Sequence, residues 1–324
     1  MDRRQFSISL AAAAAVPMLA RANTAFPSRS VKVISPFAAG GGPDVQLRQF
    51  APSWGDALKQ SVVIENKVGA GGVLAAQFVA GAVADGYTLL MGSNTHLIQK
   101  SLQPNHKFDP LNDFVGISNM ASSPTVLVVS AESSYRNIDD LVVALRKAAG
   151  GMNYGSGGIG TSAHLAGATF LNLNNISATH IPLRGSVEIA ASLMRGDTQF
   201  AFPVAGTGVP QVKGGKLRAL AVTSRSRLSQ LPDVPTLNEL MNNELTIQES
   251  WFGLWAPAKT STEIINTLHS AAVSALNLPA IRTAFENAGN LTVPSQNPQA
   301  FTAFIRTEQK KWADIVRLTG ATAS

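Results

Sequence analysis

The chain has 324 residues, 45% hydrophobic and 14% charged, enough to build the cores of two ordinary domains and too apolar for a disordered chain. Its formal charge of +6 comes from scattered Lys and Arg without interleaved aromatic platforms, which excludes a nucleic-acid stripe and favours steering of small anions. The absence of cysteine removes disulfides, thiolate metal sites and a lipid-anchored cysteine.

Residues 1–25 read as an export signal. Arg3 and Arg4 open it, an apolar run from Leu10 to Leu19 follows, and Ala20-Arg21-Ala22 supplies a small-x-small cleavage site. The run is far short of the roughly 20 residues a membrane-spanning helix needs. Arg3-Arg4-Gln5-Phe6 fits a twin-arginine signal as well as an ordinary secretory one, and either route delivers the mature chain outside the cytoplasm.

The mature chain alternates β-branched runs with helical patterns, the signature of an α/β fold. Strands are predicted at 31–34, 62–65, 88–91, 114–121 and 125–129, and helices at 44–58, 73–82 and 138–149. A second run follows, with strands at 153–154, 179–181, 199–202 and 217–222 and helices at 162–173 and 187–195. A proline-rich turn at Leu231-Pro232-Asp233-Val234-Pro235 precedes a strand at 251–256 and a helical tail. In that tail Phe301, Phe304, Ile305, Trp312, Ile315 and Val316 share one helix face, so the tail packs on a core.

Two glycine-rich stretches each sit where a predicted strand hands over to a predicted helix. They are Phe37-Ala38-Ala39-Gly40-Gly41-Gly42-Pro43-Asp44 and Gly155-Ser156-Gly157-Gly158-Ile159-Gly160-Thr161-Ser162. Such loops aim bare N–H groups, at the positive end of a helix dipole, at whatever occupies them. Two of them in separate runs point to two lobes closing on one anionic ligand. The second loop also matches G-x-G-x-x-G through Gly155, Gly157 and Gly160, which keeps a dinucleotide-dependent oxidoreductase as a rival. The acidic residue expected about 20 positions on is missing, since no Asp or Glu follows until Glu188. Thr161 and Ser162 either cap the next helix or reach toward a ligand carboxylate. Asp44 reads as a first-turn carboxylate facing the dipole, or as a group orienting the loop or a bound water. His96 and His164 follow strand-end loops, as structural residues or as bases. The five histidines show no metal spacing, and no nucleophile elbow or H-E-x-x-H occurs, so neither metal, cofactor nor catalysis is expected.

At these residues the chain resembles the extracytoplasmic solute receptors of tripartite tricarboxylate transporters, the Bug receptors. The matching stretches run in order through almost all of the mature chain. Among them are Pro36-Phe37 to Asp44, Glu65-Asn66-Lys67-Val68-Gly69-Ala70-Gly71-Gly72, Asp85-Gly86-Tyr87-Thr88-Leu89-Leu90-Met91-Gly92, and Asn153-Tyr154 to Gly167. Pro27-Ser28-Arg29, His180-Ile181-Pro182-Leu183-Arg184-Gly185, Gly215 to Val222, Leu231 to Thr236 and Trp251-Phe252-Gly253-Leu254 with Ala256-Pro257 complete them.

The resemblance implies a two-lobed, type II Venus-flytrap α/β binding protein, periplasmic, non-catalytic and monomeric. It would hand a small carboxylate to membrane permease subunits or, on the same fold, to a chemosensory partner. Lobe 1 would comprise 26–122 and 226–324, with the helical tail packed on it, and lobe 2 would comprise 123–225. Carried over by motif, the ligand-binding positions are Phe37, Gly41, Gly42 and Asp44, then Ser93 and Asn94, then Gly160, Thr161, Ser162 and His164, with Ser250 and Trp251 at the later crossing. Three departures matter. Pro43 replaces the usual Thr or Ser, Ile159 a frequent Asn, and Gln199-Phe200-Ala201-Phe202-Pro203 a segment that commonly reads D-L-M-F-D. Each removes polar capacity, so the expected ligand is less polar than citrate, a monocarboxylate or an acid with an apolar or aromatic body. Arg184 fits either a solvated surface residue or a bidentate carboxylate partner.

Overall fold

The computed structural model describes residues 26–322; the expected export signal lies outside them. The chain opens with β1 (Val31–Ser35), α1 (Gly42–Leu58), β2 (Val62–Asn66), α2 (Val73–Ala80), β3 (Thr88–Ser93), α3 (Asn94–Leu102) and β4 (Phe114–Pro124). It then crosses to β5 (Val126–Ser130), α4 (Ile138–Ala148), β6 (Asn153–Ser156), α5 (Ser162–Asn174) and β7 (Thr179–Pro182). On that side it continues through α6 (Val187–Arg195), β8 (Phe200–Ala201), α7 (Ala205–Lys213), β9 (Leu217–Val222) and α8 (Leu237–Met241). The return brings β10 (Glu249–Pro257), α9 (Thr262–Leu276), α10 (Pro279–Asn287), β11 (Leu291–Thr292) and the closing α11 (Pro298–Thr319).

Two sheets result. The first has the order β11-β4-β10-β3-β1-β2 and the second β7-β6-β8-β5-β9. In the first, β1 runs parallel to β2 and β3, while β10 is antiparallel to β3 and β4. Val31, Val33 and Ile34 of β1 are all fully buried, as expected of a parallel strand covered on both faces. Helices α1, α9 and α10 cover one face, and α2, α3 and α11 the other. The second sheet carries α4, α5 and α8 on one face and α6 and α7 on the other.

The sheets are joined where β4 runs into β5 and where the chain re-enters β10. Thr125, at the first crossing, donates its amide to Thr223 Oγ1 at 2.8 Å, and that hydroxyl donates to the Gln248 carbonyl at 2.6 Å. The return falls at Gln248 and Glu249 rather than at 226. Leu228, Leu231 and Val234 pack in one core of the second sheet, and Leu237 and Met241 in the other. The residues around 228–241, expected on the first lobe, therefore sit on the second, because their apolar side chains find their neighbours there.

Three helices lie where the sequence pattern predicted none, the short α8 among them. Residues 94–96, expected as loop, open α3, whose N-cap Ser93 forms a capping box with His96 in the place that Glu or Gln usually takes. Helix α7 contains Gly206, Gly208 and Pro210, poor helix formers that hide it from a propensity reading.

Helix α11 packs on the first sheet. Phe301 seats against β4 and β10 because no side chain intervenes at Gly253, where a Cβ would lie 2.3 Å from the Phe301 ring. Buried Glu308 accepts from Trp251 Nε1 at 2.9 Å and Trp312 Nε1 at 2.8 Å, so one carboxylate satisfies two buried indoles. Replacing it leaves both donors unpaired. Glu308→Leu should lower unfolding stability in urea by about 2–4 kcal/mol, whereas Phe304→Ala, on the rim of the same helix, should cost about 1 kcal/mol or less.

Candidate functional site

The loops at the ends of the two sheets face each other across a cleft of about 930 Å³. Its chemistry is set by the loop between β6 and α5. There Gly158 N–H donates to Ser156 Oγ at 3.1 Å, and Ser156 Oγ donates to the Gly158 carbonyl at 2.9 Å. Thr161 Oγ1 donates to the same carbonyl at 2.8 Å and accepts from the His164 amide as the helix N-cap. Gly160 N–H donates to His164 Nδ1 at 3.1 Å. The amides of Ile159, Ser162 and Ala163 donate to no acceptor among the described residues, and all three residues line the cleft. They form a donor set at the N-terminus of the 13-residue α5, the kind of end that suits an anion. With the Gly160 amide turned inward to His164, the G-x-G-x-x-G match lacks one of the contacts a pyrophosphate would use.

Beneath this loop His164 and His180 stack with ring centroids 4.0 Å apart, and Tyr154 stacks on His180 at 4.8 Å. His180 Nε2 lies 2.7 Å from Ser156 Oγ, so each imidazole steadies one end of the loop. Burial pushes His164 down to about 4. Burial, and then the neighbouring His164, push His180 to about 3.

The first glycine loop behaves differently. Gly40 N–H donates to Asp44 Oδ2 at 3.0 Å, Gly41 N–H to the Ala38 carbonyl at 3.1 Å, and Gly42 N–H crosses the cleft to Thr207 Oγ1 at 3.1 Å. Pro43 has no N–H to offer. The donors expected to meet a ligand at Gly41 and Gly42 are thus engaged, and neither residue lines the cleft. Asp44 is fully buried and orients this loop, accepting also from Arg48 Nε at 2.8 Å and Asn66 Nδ2 at 2.6 Å. Burial alone would raise its carboxyl, but these hydrogen bonds outweigh it and hold it below the usual carboxylate range. Phe37 does line the cleft and packs edge-on against Phe252.

At the base of the cleft the lobes touch directly. Asn94 Nδ2 donates to Ser162 Oγ at 3.0 Å, Ser250 Oγ donates to Asn94 Oδ1 at 2.9 Å, and the two serine hydroxyls lie 3.0 Å apart. Ser162 and Ser250 line the cleft and Asn94 supports them from behind. Ser93 is fully buried and caps α3. Gly160 and His164 hold the second loop from within. Trp251 is placed elsewhere, because successive strand residues face opposite sides. Ser250 and Phe252 face the cleft, while Trp251 turns to α11.

Several lining residues were not singled out from the sequence. Gly69 and the turn Ala70–Gly72 form one wall, with φ of 142°, 47°, 59° and 92°, and the amides of Ala70 and Gly71 are free of acceptors among the described residues. Gln99 of α3 donates to the Ile159 carbonyl at 2.5 Å. Pro203 and Val204 add apolar wall beside Pro43 and Ile159. Arg184, which the sequence left between a surface residue and a carboxylate partner, lines the cleft, and its guanidinium has no ion-pair partner among the described residues. No Asp or Glu lines the cleft, so its permanent side-chain charge is positive. The glycine triplet was visible in the sequence; its left-handed geometry was the signal that it borders a ligand space.

Two α/β sheets, crossed twice by the chain and facing a cleft between glycine loops, define the class of periplasmic binding proteins. A family model described as "Tripartite tricarboxylate transporter family receptor" matches residues 46–321, and the chain belongs to that family. It is 33% identical to protein BugT of Bordetella pertussis over 298 residues, 91% of each chain. It superposes on the structure of the periplasmic binding protein BugD with a TM-score of 0.87 and 28% identity, covering 92% of this chain and 99% of that one. Against the R. palustris protein Rpa4515 with adipate the TM-score is 0.86 at 27% identity, again covering 92% and 99%.

The histidine stack makes a stability prediction. His164 and His180, with His96 also pushed down to about 4 by burial, are neutral when folded and ordinary when unfolded. Unfolding therefore takes up protons once pH falls below about 6.5. Stability should be full above that value and fall steadily as pH drops through about 4. Urea melts at stepped pH check this, and constant stability from pH 7 to 4.5 contradicts neutral buried imidazoles.

Proposed function

We propose that this receptor captures an organic acid with an apolar body and delivers it to the membrane subunits of a tripartite transporter. The observation that carries the reading is the set of free amides at Ile159, Ser162 and Ala163 inside a cleft without lining carboxylates. A carboxylate at the α5 N-terminus gains hydrogen bonds and the helix dipole together. The remaining walls, Phe37, Pro43, Ile159, Pro203, Val204 and Phe252, suit a hydrocarbon or aromatic body. An ammonium group would meet no lining carboxylate, which disfavours amino acids. That Rpa4515 is seen with adipate supports an acid of this kind.

In this reading lobe 1 comprises about 26–124 and 248–322, and lobe 2 the residues between. The protein acts in the periplasm as a monomer without catalysis, exported by the signal in residues 1–25. Of the positions carried over by motif, Phe37, Thr161, Ser162 and Ser250 face the ligand. Gly41, Gly42, Asp44, Ser93, Asn94, Gly160 and His164 shape the loops that hold it.

A thermal-shift screen of the mature protein against organic acids tests the proposal. A binder present at 100 times its dissociation constant should stabilise the fold by about 2.7 kcal/mol. Aliphatic or aromatic acids should outrank citrate; tight citrate binding with no response to less polar acids overturns the assignment. Pro203→Asp, which sets a carboxylate on the cleft wall, should weaken binding of the best acid at least tenfold in calorimetry. Unchanged affinity would place the carboxylate elsewhere.

A further inference from the structure

We propose that Gln99 is the positioning residue through which closure of the lobes sets the shape of the anion-binding loop. The inference rests on the reading of the cleft as a carboxylate site, and it assigns that site a part on the opposite lobe.

Gln99 belongs to α3 of lobe 1 and is 4% exposed. Its side chain crosses to lobe 2, where Nε2 donates to the Ile159 carbonyl at 2.5 Å. Two glycines make the passage. A Cβ at Gly71 would lie 1.9 Å from Gln99 Nε2, and one at Gly160 would lie 2.5 Å from it. Both glycines hold positive φ, +59° and +73°, so the backbone on either side is bent around this side chain.

The bond acts on the donor set through one rigid unit. The Ile159 carbonyl and the Gly160 amide share a planar peptide. Gln99 holds its oxygen from lobe 1, and His164 Nδ1 holds its N–H from lobe 2. On either side of that plane stand the free amides of Ile159, Ser162 and Ala163. When the lobes part, Gln99 withdraws and the plane keeps a single fixing. The amides are then aligned only in the closed form, so a ligand that needs them aligned favours closure. Gln99 Oε1 makes no hydrogen bond among the described residues, although the residue lines the cleft, which leaves that atom to face the ligand space.

The variants are Gln99→Asn, which keeps the amide but falls one methylene short, and Gln99→Glu, which keeps the length but turns a carboxylate on the Ile159 carbonyl. With adipate as probe, both should release ligand at least fivefold faster in stopped flow while association stays within twofold. A contact that matters only for folding would instead lower the ligand-free melting temperature and spare the release rate. Because the chain has no cysteine, Lys147→Cys on lobe 2 and Lys310→Cys on lobe 1 give a unique pair of label sites for an energy-transfer distance. In ligand-free protein the closed fraction should be at least threefold smaller in Gln99→Asn than in the parent. Equal closed fractions, or unchanged release of adipate, overturn the proposal. If the parent binds no acid at all, the carboxylate reading fails, and the ligand-free label distances still decide this one. A double-mutant cycle adds an independent check: Gly160→Ala should be less damaging in a Gln99→Ala background, where the Cβ no longer strikes the amide. Strict additivity counts against the coupling.

Discussion

Everything the cleft does depends on one loop leaving the amides of Ile159, Ser162 and Ala163 free while those of Gly158, Gly160 and Thr161 are engaged. A glycine loop with all its donors open would be flexible and would lose its order as soon as a ligand tried to use it. Residues 156–161 avoid this by closing on themselves. Ser156 bonds both polar groups of Gly158, Thr161 caps α5 and bonds the Gly158 carbonyl, and His164 takes the Gly160 amide. Among the described residues, the amides of Gly157 and Ile159 remain free in the loop, and those of Ser162 and Ala163 at the start of the helix that follows. Preorganised dipoles of this kind bind an anion without a side-chain charge, since the backbone meets no ordering cost at the moment of binding.

The two glycine loops look alike in sequence and have diverged in use. In the first, Asp44 gathers Gly40, Arg48 and Asn66 around a buried carboxylate, and the Gly42 amide is held by Thr207 of the facing lobe. That loop is a structural corner and a point of contact between lobes. The second loop adds free donors at a helix N-terminus, beside the free amides of Ala38, Ala39, Ala70 and Gly71 on the neighbouring walls. The asymmetry fits the cleft's other walls, where Pro43, Ile159 and Pro203 stand in place of polar residues. In the proposed reading a ligand is held at one polar end, with its body against hydrocarbon.

How much of this was legible in the sequence follows from what each signal measures. The bounds of α6 and β9 coincide with their expected ones, because amphipathic spacing and short apolar runs between turns are local patterns. Helix α7 was hidden by its glycines and proline, and the start of α3 by a histidine in the capping box. In the site, Thr161 and Ser162 were legible because hydroxyls at a helix start have few uses. Trp251 was misplaced because a motif names a stretch and the pleat decides which of its residues face the ligand; Ser250 and Phe252 took that side. Gly69, Ala70 and Gly71 were missed because they contribute backbone, which leaves no side-chain trace. Gln99 was obscured for a different reason: its bond reaches the opposite lobe, and no local pattern reports it.

The seam between the lobes shows why a ligand is needed to decide closure. Apart from the hinge at Thr223, direct ties cross it at Asn94 with Ser162, Ser162 with Ser250, Gln248 with Thr169, Gln99 with Ile159 and Gly42 with Thr207. Such bonds contribute about 0.5–1.5 kcal/mol each once exchange with water is counted. Against them stand Gln46 and Asn290 of lobe 1, pressed on Gly206 of lobe 2. Gln46 Oε1 and Nε2 and Asn290 Oδ1 are buried without a partner among the described residues. Each such group costs about 1–3 kcal/mol and regains water when the lobes part. The opposing contributions are of similar size, so neither form dominates strongly by itself. An acid whose carboxylate meets the aligned amides only in the closed form then tips the balance by its difference in affinity between the two. A seam made wholly of satisfied bonds would stay shut whether or not a ligand had entered, and the receptor would carry no signal to the membrane.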